Sequence, residues 1–249
     1  MTVLRMLSYN VRSLRGDANA VARVMASVRP HVVCVQEAPR FLRWRTRSAA
    51  LARKAGLVVL GGGRPGAGNL LLCDIAIEVE STADLRLSHR WGMHRRGAAV
   101  AVCSLAGSRF ALAGTHLDLA AADRQRHVRE LFDRLPAAGG GADVPLILAG
   151  DVNDVPSSAT WRLIADRLAE AHTDDLTFPA DQPVRRIDGV FVDRRCGIGV
   201  VRVLDSPDVR VGSDHRPVYA EIELPAAAPP GPTRQHTAGS TAGDRPLAE

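Results

Sequence analysis

No stretch of this 249-residue sequence is apolar for long enough to cross a membrane as a helix. The N-terminus, "MTVLRMLSYN", is too short and too interrupted by arginine to read as a secretory leader. Cysteine is equally sparse. Cys34, Cys73, Cys103 and Cys196 lie far apart and form no CxxC pair. Cys34 in "VVCVQ" and Cys103 in "VAVCSL" sit inside apolar runs, where a buried free thiol fits better than a metal ligand. These absences point to a reducing, cytoplasmic setting with no membrane anchor. Aromatic residues make up only 4%, so no platform for base stacking is advertised. Lysine is all but missing: Lys54 is the single lysine among 32 basic residues, a bias that reflects GC-rich coding more than function. A Walker loop is absent too. The run "GGGRPGAG" lacks the Gly-Lys-Ser/Thr ending, which leaves loop flexibility as its expected role.

What is present describes a globular protein, with 46% hydrophobic and 24% charged residues. From Pro225 the composition shifts to "PAAAPPGPTRQHTAGSTAGDRPLAE", without aliphatic periodicity, and predicts a disordered tail over 225–249. No earlier linker and no internal repeat occurs, so residues 1–224 read as one domain, expected to be monomeric. The net charge is +5, and the tail contributes none of it: Arg234 and Arg245 balance Asp244 and Glu249. A basic domain is compatible with a phosphate-bearing substrate without demanding one.

Apolar runs predict strands near 3–9, 32–36, 57–60, 70–72, 75–80, 98–105, 109–115, 145–149, 187–192, 199–204 and 217–223. Helical spacing marks 18–29, 41–55, 120–135 and 157–169. Many strands with four helices do not fit an alternating βα barrel; an α/β layered sandwich fits better.

The polar residues that end these apolar runs carry the chemistry. "VLRMLSYN" ends at Asn10, "VVCVQE" at Glu37 and "FALAGTH" at His116. "LILAGDVN" ends at Asp151 and Asn153, "RIDGVFV" begins with Asp188, and "VGSDHRPVYAEI" sets Asp214 and His215 before the last strand. Turn chemistry explains one such case. Six cases built from carboxylate, amide and imidazole suggest one pocket, suited to attack of water on a phosphoester. A hard cation such as Mg²⁺ needs few carboxylates and polarises the phosphate. A second carboxylate aligns or deprotonates water, and amides and imidazoles hold oxygens whose charge grows in the transition state.

In order, "SYN", "QE", "GN", "RRG", "THLD", "GDVNDVP", "TFP", "RIDGVF" and "SDHRP" span residues 3–224. This ordered set resembles the endonuclease/exonuclease/phosphatase superfamily, the fold of pancreatic deoxyribonuclease, the major apurinic endonucleases and bacterial sphingomyelinases. The resemblance implies a four-layer α/β sandwich of two mainly antiparallel sheets flanked by helices, with the site at one edge. It implies Glu37 as the main ligand of Mg²⁺ or Mn²⁺, with Asn10 and Asp214 near the cation. It implies Asp151 as the residue that aligns or activates water, and Asn153 and His116 as phosphate-binding. His215 would contact the scissile phosphate, oriented by Asp188, and Arg96 would touch phosphate. One departure is Gly189, where many relatives carry an aromatic that forms part of the pocket wall.

The expected function is a divalent-metal-dependent phosphodiesterase or nuclease. The alternatives are a phosphomonoesterase or phospholipid-headgroup diesterase on the same fold and, in another class, a catalytically silent binding scaffold. The run "RFLRWRTRSAALARKAG" carries six basic residues from Arg40 to Lys54 and no acid. Phe41, Trp44, Ser48, Leu51 and Ala55 make a helical stripe, so the arginines are expected on a solvated opposite face, with a phosphate-backbone track as the sharper reading. His31, His89, His94, His127, His172 and His236 match no site motif.

Overall fold

The computed structural model describes residues 2–226. Its strands are β1 (Thr2–Asn10), β2 (Val32–Gln36), β3 (Val58–Gly63), β4 (Asn69–Cys73), β5 (Ile77–Arg86), β6 (Gly97–Leu105), β7 (Ser108–His116), β8 (Leu146–Asp151), β9 (Ala169–Glu170), β10 (Asp188–Val192), β11 (Gly197–Val203) and β12 (Val218–Leu224). The helices are α1 (Ala18–Ser27), α2 (Trp44–Lys54), α3 (Ala121–Ala138), α4 (Ala159–Ala165) and α5 (Pro207–Gly212). Apart from its first two positions, the tail expected over 225–249 lies outside the described residues.

The strands form two six-stranded sheets, ordered β11-β12-β1-β2-β4-β3 and β5-β6-β7-β8-β10-β9. Each sheet is antiparallel except for one central parallel pair, β1 with β2 and β7 with β8. Parallel neighbours need a crossover, and α1 and α3 supply it. The four-layer sandwich is therefore as expected. Alternation along the strands builds it, because successive side chains face opposite ways. In β1, Leu4 and Met6 enter the core between the sheets, against Cys103, Phe110, Leu112 and Ile147 of the second sheet. Leu7 and Tyr9 face outward and pack beneath Val21 and Met25 of α1 and Leu51 of α2. On the opposite outer face, Val100, Leu148 and Phe191 pack under Val128 and Leu131 of α3 and Trp161 and Ile164 of α4. All four cysteines are free and buried. Among the described residues no helix is long and apolar enough to cross a membrane.

This topology prepares a site. The C-terminal ends of the parallel strands β1, β2, β7 and β8 come out at one edge. The antiparallel neighbours β10 and β12 begin at that same edge. At or next to those strand ends stand Asn10, Glu37, His116, Asp151, Asp188 and His215.

Two local expectations are corrected. The glycine run is not simply a flexible loop, because Gly61, Gly62 and Gly63 belong to β3. Gly63 has φ +81°, and a Cβ there would stand 2.6 Å from the Trp44 ring, so the glycine lets that ring lie on the strand. The helix predicted from residue 41 starts at Trp44, after Arg43 in a left-handed conformation, and Phe41 is left in solvent rather than in the buried stripe.

Candidate active site

Strand register sets the centre of the site. Asp151 is paired with His116 across the parallel β7–β8 ladder and with Asp188 across the antiparallel β8–β10 ladder. Both neighbours thus flank one carboxylate by backbone geometry alone. Asp151 is buried, and its Oδ2 accepts from Asn10 Nδ2 at 3.0 Å. The same oxygen lies 3.3 Å from His116 Nε2 and 3.7 Å from His215 Nε2. Its Oδ1 accepts from the Asn153 backbone N–H at 2.9 Å, which folds the "GDVN" loop back onto the strand end. Asn153 adopts φ +55°, a conformation asparagine tolerates better than most residues. Its amide nitrogen reaches both His116 Nε2 (2.9 Å) and the Leu117 carbonyl (3.0 Å).

Asp188 and His215 form a second unit. Asp188 Oδ2 lies 2.9 Å from His215 Nδ1, which leaves Nε2 aimed at Asp151 and Asn10. Thr177 Oγ1 accepts from the backbone N–H groups of Ile187 and Asp188, and the Phe178 ring packs 4.8 Å from the imidazole. Ser213 Oγ donates to the Asn10 carbonyl at 2.6 Å and fastens the loop that carries His215 to the end of β1. Nothing in the sequence assigns a role to Thr177, Phe178 or Ser213. Their signal was present in "TFP" and "SDHRP", whereas their partners follow only from the fold.

Electrostatics separates the two imidazoles. Burial dominates at His116 and, with Arg96 nearby, holds its pKa down at about 3 despite Asp151, so it is neutral. Burial also pushes His215 down, but Asp188, then Asp151 and Asp214, outweigh it and lift it to about 9, so it is a cation at neutral pH. Asp151 is raised, chiefly by burial and then by Asp188, while His116, His215 and Asn10 pull the other way.

Glu37 directly follows β2 with φ +50°, half-buried, its backbone held by Ser13 N–H donating to its carbonyl at 2.8 Å. Its Oε1 is 3.4 Å from Asn10 Nδ2. The Asn10 amide thus presents nitrogen to both carboxylates, and its oxygen accepts from the Arg12 backbone N–H at 3.0 Å. So oriented, Asn10 orders Glu37 and Asp151 and does not offer them an oxygen. Asp214 meets this hydrogen-bonded group only at its edge: its Oδ1 lies 3.4 Å from Ser213 Oγ, and its Oδ2 pairs with Arg12 Nε at 3.3 Å in a polar pocket with Asp181 and Arg210. Arg96 is largely buried, 3.9 Å from Asp118 Oδ2, and its Nε has no hydrogen-bond partner among the described residues. Burial lowers its pKa against the charges of Asp118, Asp151 and Glu37. An orphaned guanidinium N–H in a carboxylate-rich pocket suits an incoming anion. A Cβ at Gly189 would point at Phe191 and Trp161, at 2.8 and 2.9 Å. That position faces the outer core, so the departure at Gly189 leaves the cluster untouched.

Carboxylate oxygens dominate the donors, which fits a hard divalent cation. Ligand atoms of Asp151, Asp188 and His215 lie within 4.8 Å of one another. His215 Nδ1 is already committed to Asp188, however, which leaves the half-buried Glu37 as the freer oxygen ligand.

Solved structures share this fold. An endonuclease/exonuclease/phosphatase of Bacteroides vulgatus is 19% identical with a TM-score of 0.75, covering 90% of this chain and 100% of its own. A mannosyl-6-phosphatase of Bacteroides thetaiotaomicron is 18% identical with a TM-score of 0.76, over 89% of this chain and 100% of its own. D. rerio TDP2 complexed with a single-strand DNA product is 16% identical with a TM-score of 0.67, over 90% and 100%. At such identities the likeness is one of fold. No curated protein matches the chain. Residues 7–215, most of the chain and every residue of the cluster, match the Endonuclease/Exonuclease/phosphatase family, and the chain belongs to that family.

Proposed function

We propose that this chain is a divalent-metal-dependent phosphodiesterase in which water aligned by Asp151 attacks the phosphorus of a bound diester. The observation that carries this reading is Asp151 itself: a buried carboxylate held by Asn10 and Asn153, between a neutral and a cationic imidazole. A carboxylate whose pKa is raised is a better proton acceptor, and its two anchors fix where the water would sit. The His215 imidazolium, kept charged by Asp188, is placed to neutralise a phosphoryl oxygen. His116 and Asn153 supply neutral polar groups beside it, and the orphaned Arg96 N–H supplies a further cationic contact. Glu37 would hold Mg²⁺ or Mn²⁺, with Asn10 fixing its carboxylate; the cation would contribute charge neutralisation of the phosphate. Four free, buried cysteines support a reducing, cytoplasmic setting.

A substrate panel tests the reading. Bis-p-nitrophenyl phosphate should be hydrolysed faster than p-nitrophenyl phosphate, because the set of groups suits one negative charge. Rapid hydrolysis of the monoester with no diester activity would replace the diesterase with a phosphomonoesterase. Hydrolysis of neither, with the fold intact, would leave the binding scaffold.

A further inference from the structure

Arg96 and Arg40 do more than face the catalytic cluster. Arg96 lies 3.9 Å from Asp118 in the field of Asp151 and Glu37, and the charge of Arg40 reaches His116. Both also line a cleft of about 800 Å³. Its walls come from the segment leading into α2, the turn after β3 and the loop between β5 and β6. Six arginines line it, Arg40, Arg45, Arg64, Arg86, Arg95 and Arg96, together with His89 and His94, and no carboxylate does. Of these six arginines only Arg96 has an ion-pair partner among the described residues, Asp118 at 3.9 Å, so the lining keeps an excess of positive charge that a polyanion can neutralise. The helix track anticipated from the sequence is therefore rearranged. Of Arg43, Arg45 and Arg47, only Arg45 lines the cleft, its guanidinium 4.5 Å over the Trp44 ring. Arg47 turns away and donates to the Ser13 and Leu14 carbonyls.

A second observation is independent of charge. Phe41 is 83% exposed and Trp91 98%, and they are the only aromatic side chains among the described residues left so open. Phe41 lines the cleft, and Trp91 stands in the loop between two of its lining residues, His89 and Met93. Apolar rings left in water cost free energy that a covering ligand recovers. Repeated phosphates between flat apolar rings describe a polynucleotide. Its bases can stack on side chains only when their faces are open, which a duplex prevents.

We propose that this cleft holds an unpaired polynucleotide strand running on from the scissile phosphate, with its phosphates on the arginines and its bases stacked on Trp91 and Phe41. The proposal rests on the phosphodiesterase reading of the neighbouring cluster and names its substrate class.

The test is fluorescence anisotropy of the full chain in EDTA, with a labelled 12-nucleotide oligothymidylate and a labelled duplex of equal length. The single strand should bind at least about tenfold more tightly than the duplex, and Trp91→Ala and Phe41→Ala should each weaken it about five- to tenfold, in line with the loss of one stacking contact. Trp91→Phe should restore most of that loss. Arg45→Glu with Arg95→Glu should weaken binding further and flatten its salt dependence, by about 0.7 in slope for each phosphate contact removed. An unchanged melting temperature for Trp91→Ala, whose ring touches solvent on nearly every side, excludes unfolding as the cause. Equal affinity for duplex, no effect of Trp91→Ala, or equal competition by inorganic polyphosphate would overturn the assignment. If the oligothymidylate binds in the expected pattern but bis-p-nitrophenyl phosphate is not hydrolysed with Mg²⁺ present, the catalytic reading fails and the cleft assignment stands.

Discussion

Asp151 receives two hydrogen bonds and stands between His116 and His215, so one substitution separates its charge from its shape. Asp151→Asn keeps the size and should keep the fold by circular dichroism, while turnover of a diester falls by about 10²–10⁴-fold, the range of a lost general base. An unfolded variant would make Asp151 structural instead. His215 permits a measurement that needs no substrate. Its folded pKa is raised above the ordinary 6.5 to about 9, so the Asp188 pair adds stability that is fully present below pH 6.5 and is lost as pH climbs through about 9. In the metal-free protein, the melting temperature should decline across that window, and Asp188→Asn should flatten the decline. NMR titration of the His215 ring should show the pKa dropping in the variant by at least about one unit, and an unmoved pKa would contradict the pairing. At this scale the sequence was generous with identities and silent about orientation. Glu37, His116, Asp151, Asn153, Asp188 and His215 could be read because each ends or starts an apolar run. That the Asn10 amide turns its nitrogen toward Glu37, 27 positions on, and Asp151, 141 positions on, or that Asp214 pairs with Arg12, depends on residues far apart in the chain and has no local signature.

Among the elements, the longer ones were legible because their periodicity is strong. The first helix shows the physics: Val21, Val24 and Met25 define its buried face, and Asp17 caps it by accepting from the Asn19 and Ala20 N–H groups. Asp17→Ala should cost about 1 kcal/mol by urea denaturation, the usual loss of an N-cap. The short elements α5 and β9 went unread. Six residues of "PDVRVG" show no helical period, and Ser206, whose Oγ caps Val209 N–H, looks like any turn serine. Helix α2 starts later than its stripe predicts because Phe41 fits the stripe arithmetically, while Arg43 is left-handed and breaks the helix first. The Gly63–Trp44 contact is testable here. Gly63→Ala combines a positive φ with a 2.6 Å approach to the ring and should lower stability by about 1–3 kcal/mol; an unchanged urea midpoint would mean that the ring moves aside freely.

For the molecule as a whole, the number and order of strands limited the choice of architecture, but pairing came only from the structure. Nothing local distinguishes the parallel β1–β2 and β7–β8 pairs from their antiparallel neighbours, yet those pairs gather the polar strand ends at one edge. The ordered motifs carried that information through the family resemblance, not through periodicity. The core between the sheets should be unforgiving. Phe110 is fully buried there, and Phe110→Ala should cost about 3–5 kcal/mol, read as a drop in melting temperature. The central claim is that all of this serves metal-dependent hydrolysis of a phosphodiester, and chelation tests it most directly. Turnover of bis-p-nitrophenyl phosphate should vanish in EDTA and return with Mg²⁺ or Mn²⁺, and Glu37→Gln should need a higher cation concentration for half-maximal rate. Full turnover in EDTA, or a Glu37→Gln variant with unaltered cation dependence, would contradict the account.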